Sequence, residues 1–91
     1  MGTLETREIR SNLRKKGFEE SLSGDHVYLH YYVQGKKSSI FTKISHGIRE
    51  VGDSLIGPMA KQLRLSKNDF VEFAKCRITQ EQYNEIVKDY I

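Results

Sequence analysis

The chain has 91 residues, enough for one domain with a modest core and too few for a second. With 37% hydrophobic and 30% charged residues, its composition is that of a globular protein and excludes a disordered or low-complexity chain. No uncharged apolar run approaches the roughly 20 residues of a membrane span, and the N-terminal residues lack the apolar segment of a signal peptide. We therefore expect a cytoplasmic protein with no membrane contact.

Cys76 is the only cysteine, which excludes an intrachain disulfide and a thiolate zinc site and favours a reducing compartment. We expect it to pack as a small apolar residue. The sequence predicts neither a metal nor a cofactor.

Positive charge is concentrated in the first half of the chain. Residues 1–50 hold nine Lys and Arg against six Asp and Glu, whereas residues 51–91 hold six of each. The stretch 36–49 contains no acidic residue. A localised basic surface favours a phosphate backbone as partner. The alternative is that these lysines only keep a small domain soluble.

The first predicted helix spans residues 4–16. Thr3 is its expected cap, Gly17 suits a left-handed exit, and Ile9 and Leu13 lie one turn apart on its buried side. The opposite side is either a solvated surface or an RNA contact. It gathers Arg7, Arg10 and Arg14.

Three strands follow, at residues 18–22, 26–33 and 38–45, with turns at 23–25 and 34–37. Alternation predicts an antiparallel sheet with one buried face and one aromatic, basic face. The buried face would hold Val27, Leu29, Tyr31, Val33, Ile40, Thr42 and Ile44. The other face would hold His26, Tyr28, His30, Tyr32, Phe41 and Lys43.

Three more helices are predicted in the second half. Asp53 or Ser54 begins the second helix, which Pro58 either kinks or delays. A capping pattern at Ser66 begins the third helix, and a second one at Thr79 begins the fourth. The fourth helix has an apolar stripe that packs on this domain or serves a dimer. The stripe consists of Tyr83, Ile86, Val87 and Tyr90.

These elements predict an α+β fold with an α-β-β-β-α core, a three-stranded antiparallel sheet and two C-terminal helices. The core would span residues 4–65 and the helical extension 66–91, together forming a single domain over residues 1–91. The α-β-β-β-α order is that of the double-stranded-RNA-binding fold.

Five short segments of this core, each occurring once, follow one another in a characteristic order. They are Leu-Arg-Lys-Lys-Gly-Phe at 13–18, Gly-Asp-His at 24–26, Gly-Lys-Lys at 35–37, Lys-Ile-Ser-His-Gly at 43–47, and Met-Ala-Lys-Gln-Leu-Arg-Leu-Ser at 59–66. In order and spacing they resemble the HicA-type toxins of prokaryotic toxin–antitoxin modules. The tail resembles a longer branch of that family.

The resemblance implies an mRNA interferase, a metal-free endoribonuclease that cuts messenger RNA through one histidine. It also implies a HicB-type antitoxin that covers the active site, and a toxin that is monomeric when free. In the commoner family pattern the catalytic histidine follows a Gly-Ser pair. Here the pair is Gly24-Asp25 and His26 takes the histidine position. Asp25 is an accessory candidate, since a carboxylate beside an imidazole favours its charged form.

Metal-free RNA cleavage needs a group that moves protons and positive charges that stabilise the phosphorane-like oxygens. His26 is the predicted general acid and base, although a histidine at a strand start could instead only cap a turn. The predicted phosphate-binding residues are Lys36, Lys37 and Lys43. A non-catalytic RNA-binding or protein-interaction module on the same fold is the alternative function.

The other two histidines have weaker claims. His30 lies about 13 Å from His26 at strand spacing, too far to share one metal ion, and is a surface residue or an RNA contact. His46 belongs to a His-Gly turn that is more typical of structure than of catalysis, and is an accessory candidate.

The outward aromatic residues Tyr28, Tyr32 and Phe41 could stack on RNA bases. They could equally be covered by the antitoxin or by the C-terminal helices. The number of aromatic residues favours cover by protein.

Overall fold

The computed structural model describes residues 3–45 and 47–91. In this part of the chain the elements are β1 (Leu4–Glu5), α1 (Thr6–Arg14), β2 (Phe18–Ser23), β3 (His26–Val33), β4 (Lys36–Ser45), β5 (Glu50–Val51), α2 (Asp53–Gln62), α3 (Lys67–Ala74) and α4 (Gln80–Val87), followed by a 3-10 turn (Lys88–Tyr90). The predicted α+β class, with a three-stranded antiparallel sheet ordered β2-β3-β4, is confirmed. None of the helices described is both long and apolar enough to cross a membrane.

The predicted alternation of β3 and β4 is confirmed. The inward residues of β3 and β4 are buried, namely Val27, Leu29, Tyr31, Ile40, Thr42 and Ile44. The hairpin is tighter than predicted, because Gln34 and Gly35 both have positive φ and close a two-residue turn. As a result β4 begins two residues early, at Lys36.

The first helix begins at Thr6 and not at residue 4. Leu4 and Glu5 are extended instead, because β1 pairs with β5 in a separate two-stranded ribbon. Thr3 therefore does not cap the helix, and its hydroxyl donates to a carboxylate oxygen of Glu50 at 3.3 Å. The predicted left-handed exit is confirmed at Gly17, where φ is +96°.

The later helices begin where the capping patterns predict. The Ser66 hydroxyl accepts from the amide of Asp69, and Thr79 forms a reciprocal capping box with Gln82. Helix α2 begins at Asp53 and continues through Pro58, which lies inside it.

Helices α1 and α2 pack on the inner face of the sheet, and the C-terminal helices complete the same core. Phe18 and Tyr31 from the sheet meet Phe73 of α3 and Tyr83 of α4, with ring centroids 4.4–6.1 Å apart. Segments 4–65 and 66–91 therefore share one hydrophobic cluster.

Only half of the apolar stripe predicted for the fourth helix is buried. Tyr83 and Val87 are fully buried, and the Tyr83 hydroxyl donates to the Leu63 carbonyl at 2.8 Å. Ile86 and Tyr90 stay 42% and 51% exposed.

The prediction that Cys76 packs inside is wrong. It is exposed, with φ of +64°, in the turn that follows α3. The helix has already ended at Ala74, and the turn carries the chain towards α4 outside the core.

Candidate functional site

The outer face of the sheet, opposite α1 and α2, carries a contiguous group of rings. Tyr28, His30 and Phe41 lie with centroids 5.4–6.2 Å apart and interplanar angles of 17–35°. We call these three rings the aromatic track. His26 continues it at one end, 6.3 Å from Tyr28 and tilted by 57°.

His26 lies at the start of β3, directly opposite Ser23 on β2 and Ser45 on β4. Its side chain is half-buried. Lys43 pairs with Tyr28, the next outward residue along β3, so Lys43 and His26 are diagonal neighbours on the outer face. Sequence spacing alone does not bring these two residues together; the strand register does.

A pocket of about 240 Å³ opens beside this pair, between the end of the sheet and α2. The sheet contributes His26, Lys43 and Ser45 to its lining, and α2 contributes Pro58 and Met59 among others. His26, Lys43 and Ser45 thus line one pocket together with an apolar wall from α2. Such a set can transfer a proton next to a bound anion.

Of the two accessory candidates, Asp25 and His46, the structure describes only Asp25. Asp25 lies exposed in the turn before β3, and in the part of the chain described it forms no ion pair with His26. His46 lies outside the described residues.

His30 lies in the middle of the aromatic track, four residues from His26, and stacks on Phe41 at 5.4 Å. Burial lowers the pKa of His30 below its ordinary value, and the nearby charge of Lys37 lowers it further. Both effects favour the uncharged form of the ring.

The predicted phosphate-binding lysines are split between the two ends of β4. Lys43 lies near His26, whereas Lys36 and Lys37 begin the strand and pair with Val33 and Tyr32. Six residues of strand place Lys37 about 20 Å from Lys43. All three lysines are exposed.

The arginines of α1 lie on the other side of the sheet. Arg10 donates two hydrogen bonds to Glu20, at 2.6 and 3.0 Å, and Arg14 lies 3.8 Å from the same carboxylate. These bonds hold the pKa of Glu20 below its usual range. Arg7 is exposed and lies 4.0 Å from Glu5. The structure therefore does not bring the arginine stripe to His26.

The C-terminal helices do not cover the aromatic face, because they pack on the inner side. Phe41 remains 38% exposed, and Tyr28 and Tyr32 are half-buried. The sequence allowed the aromatic residues to be covered by a partner protein or by the C-terminal helices. For the described residues, cover by the C-terminal helices is excluded.

Several residues at this face were missed by the sequence patterns. Lys61 and Arg64, at the end of α2, line a groove of about 290 Å³ with Ser39, Phe41 and Gln62. Lys61 lies in the last turn of α2, whereas Arg64 follows the end of the helix with a positive φ. Both belong to the half of the chain with no net charge, so the charge distribution did not indicate them. Their position beside Phe41 follows from the packing of α2 on β4, which the Thr42 hydroxyl helps to fix by a 2.7 Å bond to Gln62.

Comparison with known proteins adds no assignment. No family model matches the chain, no curated protein matches its sequence significantly, and no solved structure matches its fold significantly. Within residues 3–45 and 47–91, no three His, Cys, Asp or Glu side chains are grouped as metal ligands. A functional assignment therefore depends on the residues themselves.

Proposed function

We propose that the chain is a metal-independent ribonuclease of the HicA type, with His26 as its general acid and base. The observation that carries the proposal is the register that places His26 diagonal to Lys43 at the mouth of the pocket. The α-β-β-β-α order, with both helices on one face, supports a double-stranded-RNA-binding-like core. The five matching segments support the family.

In this mechanism the 2′-hydroxyl of the RNA attacks the adjacent phosphorus, and the bond to the 5′ oxygen breaks. The imidazole of His26 accepts the 2′ proton and returns a proton to the leaving 5′ oxygen. The products are a 2′,3′-cyclic phosphate and a free 5′-hydroxyl, so atoms and protons balance. The ammonium of Lys43 stabilises the charge on the non-bridging oxygens.

The pocket beside His26 has room for only a small part of a ligand. At about 240 Å³ it is smaller than the roughly 300–1,000 Å³ of a typical small-molecule site. It suits one ribose–phosphate unit of a longer chain. Messenger RNA in the cytoplasm and a HicB-like antitoxin are the partners that belong to this proposal.

Purified protein should be incubated with a long single-stranded RNA in EDTA, beside His26→Ala, Lys43→Gln and Lys75→Gln. We expect cleavage by the native chain, a loss of about 10²–10⁴-fold in His26→Ala, and a clear loss in Lys43→Gln. Lys75 is exposed at the end of α3 and is the matched control for the charge change. Circular dichroism and urea midpoints would establish that each variant folds.

A second function is favoured by one observation. His30, the other histidine described, lies about 13 Å along the strand from His26, so within the described residues a single imidazole serves both proton transfers. A ribonuclease with one imidazole would cleave slowly. The alternative is that the chain is a non-catalytic RNA-binding module. Native protein that binds the RNA without cutting it would reject the ribonuclease in favour of this module. Cleavage by His26→Ala at the native rate would reject the role of His26.

A further inference from the structure

We propose that the outer face of the sheet is a binding track for single-stranded RNA, with bases stacked on the aromatic track and phosphates along the β4 edge. This inference rests on the proposal that RNA is the ligand, and it specifies the strandedness and the path of that RNA. It assigns binding roles to His30 and Phe41, to Lys61 in the last turn of α2, and to Arg64 just after that helix.

The first argument is the geometry of the rings. The planes of Tyr28 and His30 differ by 17°, and those of His30 and Phe41 by 28°. The planes of Tyr28 and Phe41 differ by 35°, so the three rings form a gently turning row that offers successive surfaces to successive bases. Stacking of this kind is available only to unpaired bases, because a duplex hides their faces.

The second argument is the asymmetry of charge across the sheet. On the β4 side, Lys37 and Lys43 project from the outer face, and Lys61 and Arg64 line the groove beside Phe41. We call these four residues the basic edge. Within the described residues, none of the basic edge forms an ion pair with a carboxylate.

The β2 side has the opposite character. Glu19 lies directly opposite His30, and Ser21 and Ser23 lie opposite Tyr28 and His26. A phosphate chain is attracted to the basic edge and repelled at Glu19, so charge fixes the side on which the backbone runs. This complementarity favours a polyanion over an apolar protein surface as the occupant.

The third argument is continuity with the proposed catalytic pair. The aromatic track ends at Tyr28, which neighbours His26 along β3 and pairs with Lys43 on β4. A strand stacked on the track therefore leads its backbone to the 240 Å³ pocket. The track would hold the RNA while His26 acts at its end.

The test uses a fluorescein-labelled 12-nucleotide 2′-O-methyl RNA, whose blocked 2′ oxygens cannot act as the nucleophile. Binding is measured by anisotropy for the single strand and for the same strand annealed to its complement. The variants are Phe41→Ala and Lys61→Gln. Ile86→Ala is the matched control for the first, since Ile86 is 42% exposed against 38% for Phe41 and lies on α4. Lys75→Gln is the control for the second.

We expect the single strand to bind more tightly than the duplex. Phe41→Ala should weaken its binding by about 5-fold to 150-fold, as for loss of one stacked base, and Ile86→Ala should leave it unchanged. Lys61→Gln should reduce the slope of log affinity against log salt by about 0.7, and Lys75→Gln should not.

Equal binding by Phe41→Ala and Ile86→Ala, or equal affinity for strand and duplex, would overturn the track. The two proposals fail separately. Stacking-dependent binding without cleavage of ordinary RNA would keep the track and reject the ribonuclease. If Phe41→Ala binds RNA and cleaves it as the native chain does, the ribonuclease is kept and the track is rejected.

Discussion

Neutralising Glu20 should show whether the arginines of α1 stabilise the fold or bind RNA. The Glu20 carboxylate accepts hydrogen bonds from Nε and Nη2 of Arg10 at 2.6 and 3.0 Å, and Nη1 of Arg14 lies 3.8 Å away. A guanidinium held in this bidentate way is already neutralised. We therefore assign Arg10 to stability and expect it to add little to RNA affinity.

The magnitude follows from exposure. The side chains of Arg10 and Glu20 are 35% and 17% exposed, so this ion pair is intermediate between a fully exposed pair and a fully buried one. Exposed pairs contribute about 0.2–1 kcal/mol, and breaking a buried pair costs about 3–5 kcal/mol. We expect Glu20→Gln to lower the free energy of unfolding by about 2 kcal/mol at pH 7. With a urea m-value of about 1–2 kcal/mol/M, the midpoint falls by about 1–2 M.

The effect should depend on pH with a definite sign. The hydrogen bonds from Arg10 lower the pKa of Glu20 in the folded state. The stabilisation is therefore complete above the unfolded pKa of about 4.3 and is lost as the pH falls through the folded value. The gap between native protein and Glu20→Gln should be constant from pH 7 to about pH 5 and should narrow towards pH 3.

Urea unfolding followed by circular dichroism measures this gap. Glu19→Gln is the control, since Glu19 is the exposed neighbour on the same strand, and it should shift stability by less than about 0.5 kcal/mol. Arg10→Gln should destabilise as Glu20→Gln does, while binding the 2′-O-methyl 12-mer with native affinity. Equal midpoints for Glu20→Gln and Glu19→Gln would refute the reasoning. Weaker RNA binding by Arg10→Gln at native stability would refute it too.

Two further variants test the packing around the C-terminal helices by the same urea assay. Tyr83→Phe leaves a buried carbonyl without its 2.8 Å donor and should cost about 1–2 kcal/mol, against less than about 0.5 kcal/mol for Tyr90→Phe at the surface. Gly17→Ala should cost more than about 2 kcal/mol, because its φ is +96° and a new Cβ would lie 3.1 Å from Cε1 of the buried Tyr31 ring, which cannot move aside as the Gln80 side chain can. Gly24→Ala has φ of +58° but open space around it, so it should cost only about 1 kcal/mol; equal losses at the two glycines would contradict the close approach.

Local patterns predict the elements of this fold well because each pattern has a local cause. The period-two alternation of β3 and β4 and the side-chain caps at Ser66 and Thr79 depend on neighbouring residues only. The start of α1 depends instead on the pairing of Leu4 with Val51, across 46 intervening residues, for which no local signal exists. The burial predicted for Cys76 is wrong for a similar reason. Because α3 ends at Ala74, Cys76 lies in the exposed turn and not on the buried side of the helix.

The candidate site is predictable residue by residue but not as an arrangement. His26 and Lys43 each stand out in the sequence, and only the strand register makes them diagonal neighbours. Strand spacing separates Lys37 from Lys43 along β4, although both lysines lie in the acid-free stretch 36–49. Packing of α2 on β4 brings Lys61 to the β4 edge beside Phe41, and the distribution of charge along the chain does not predict this position.

The two faces of the sheet use aromatic residues for different purposes, and this division constrains the function. On the inner face, Phe18 and Tyr31 hold α3 and α4 through Phe73 and Tyr83. Because the C-terminal helices are committed there, they add stability without occluding the aromatic track. If the proposed function is correct, an antitoxin and an RNA would compete for the same exposed rings and lysines. A cover that inhibits the proposed ribonuclease would therefore block substrate binding as well as the approach to His26.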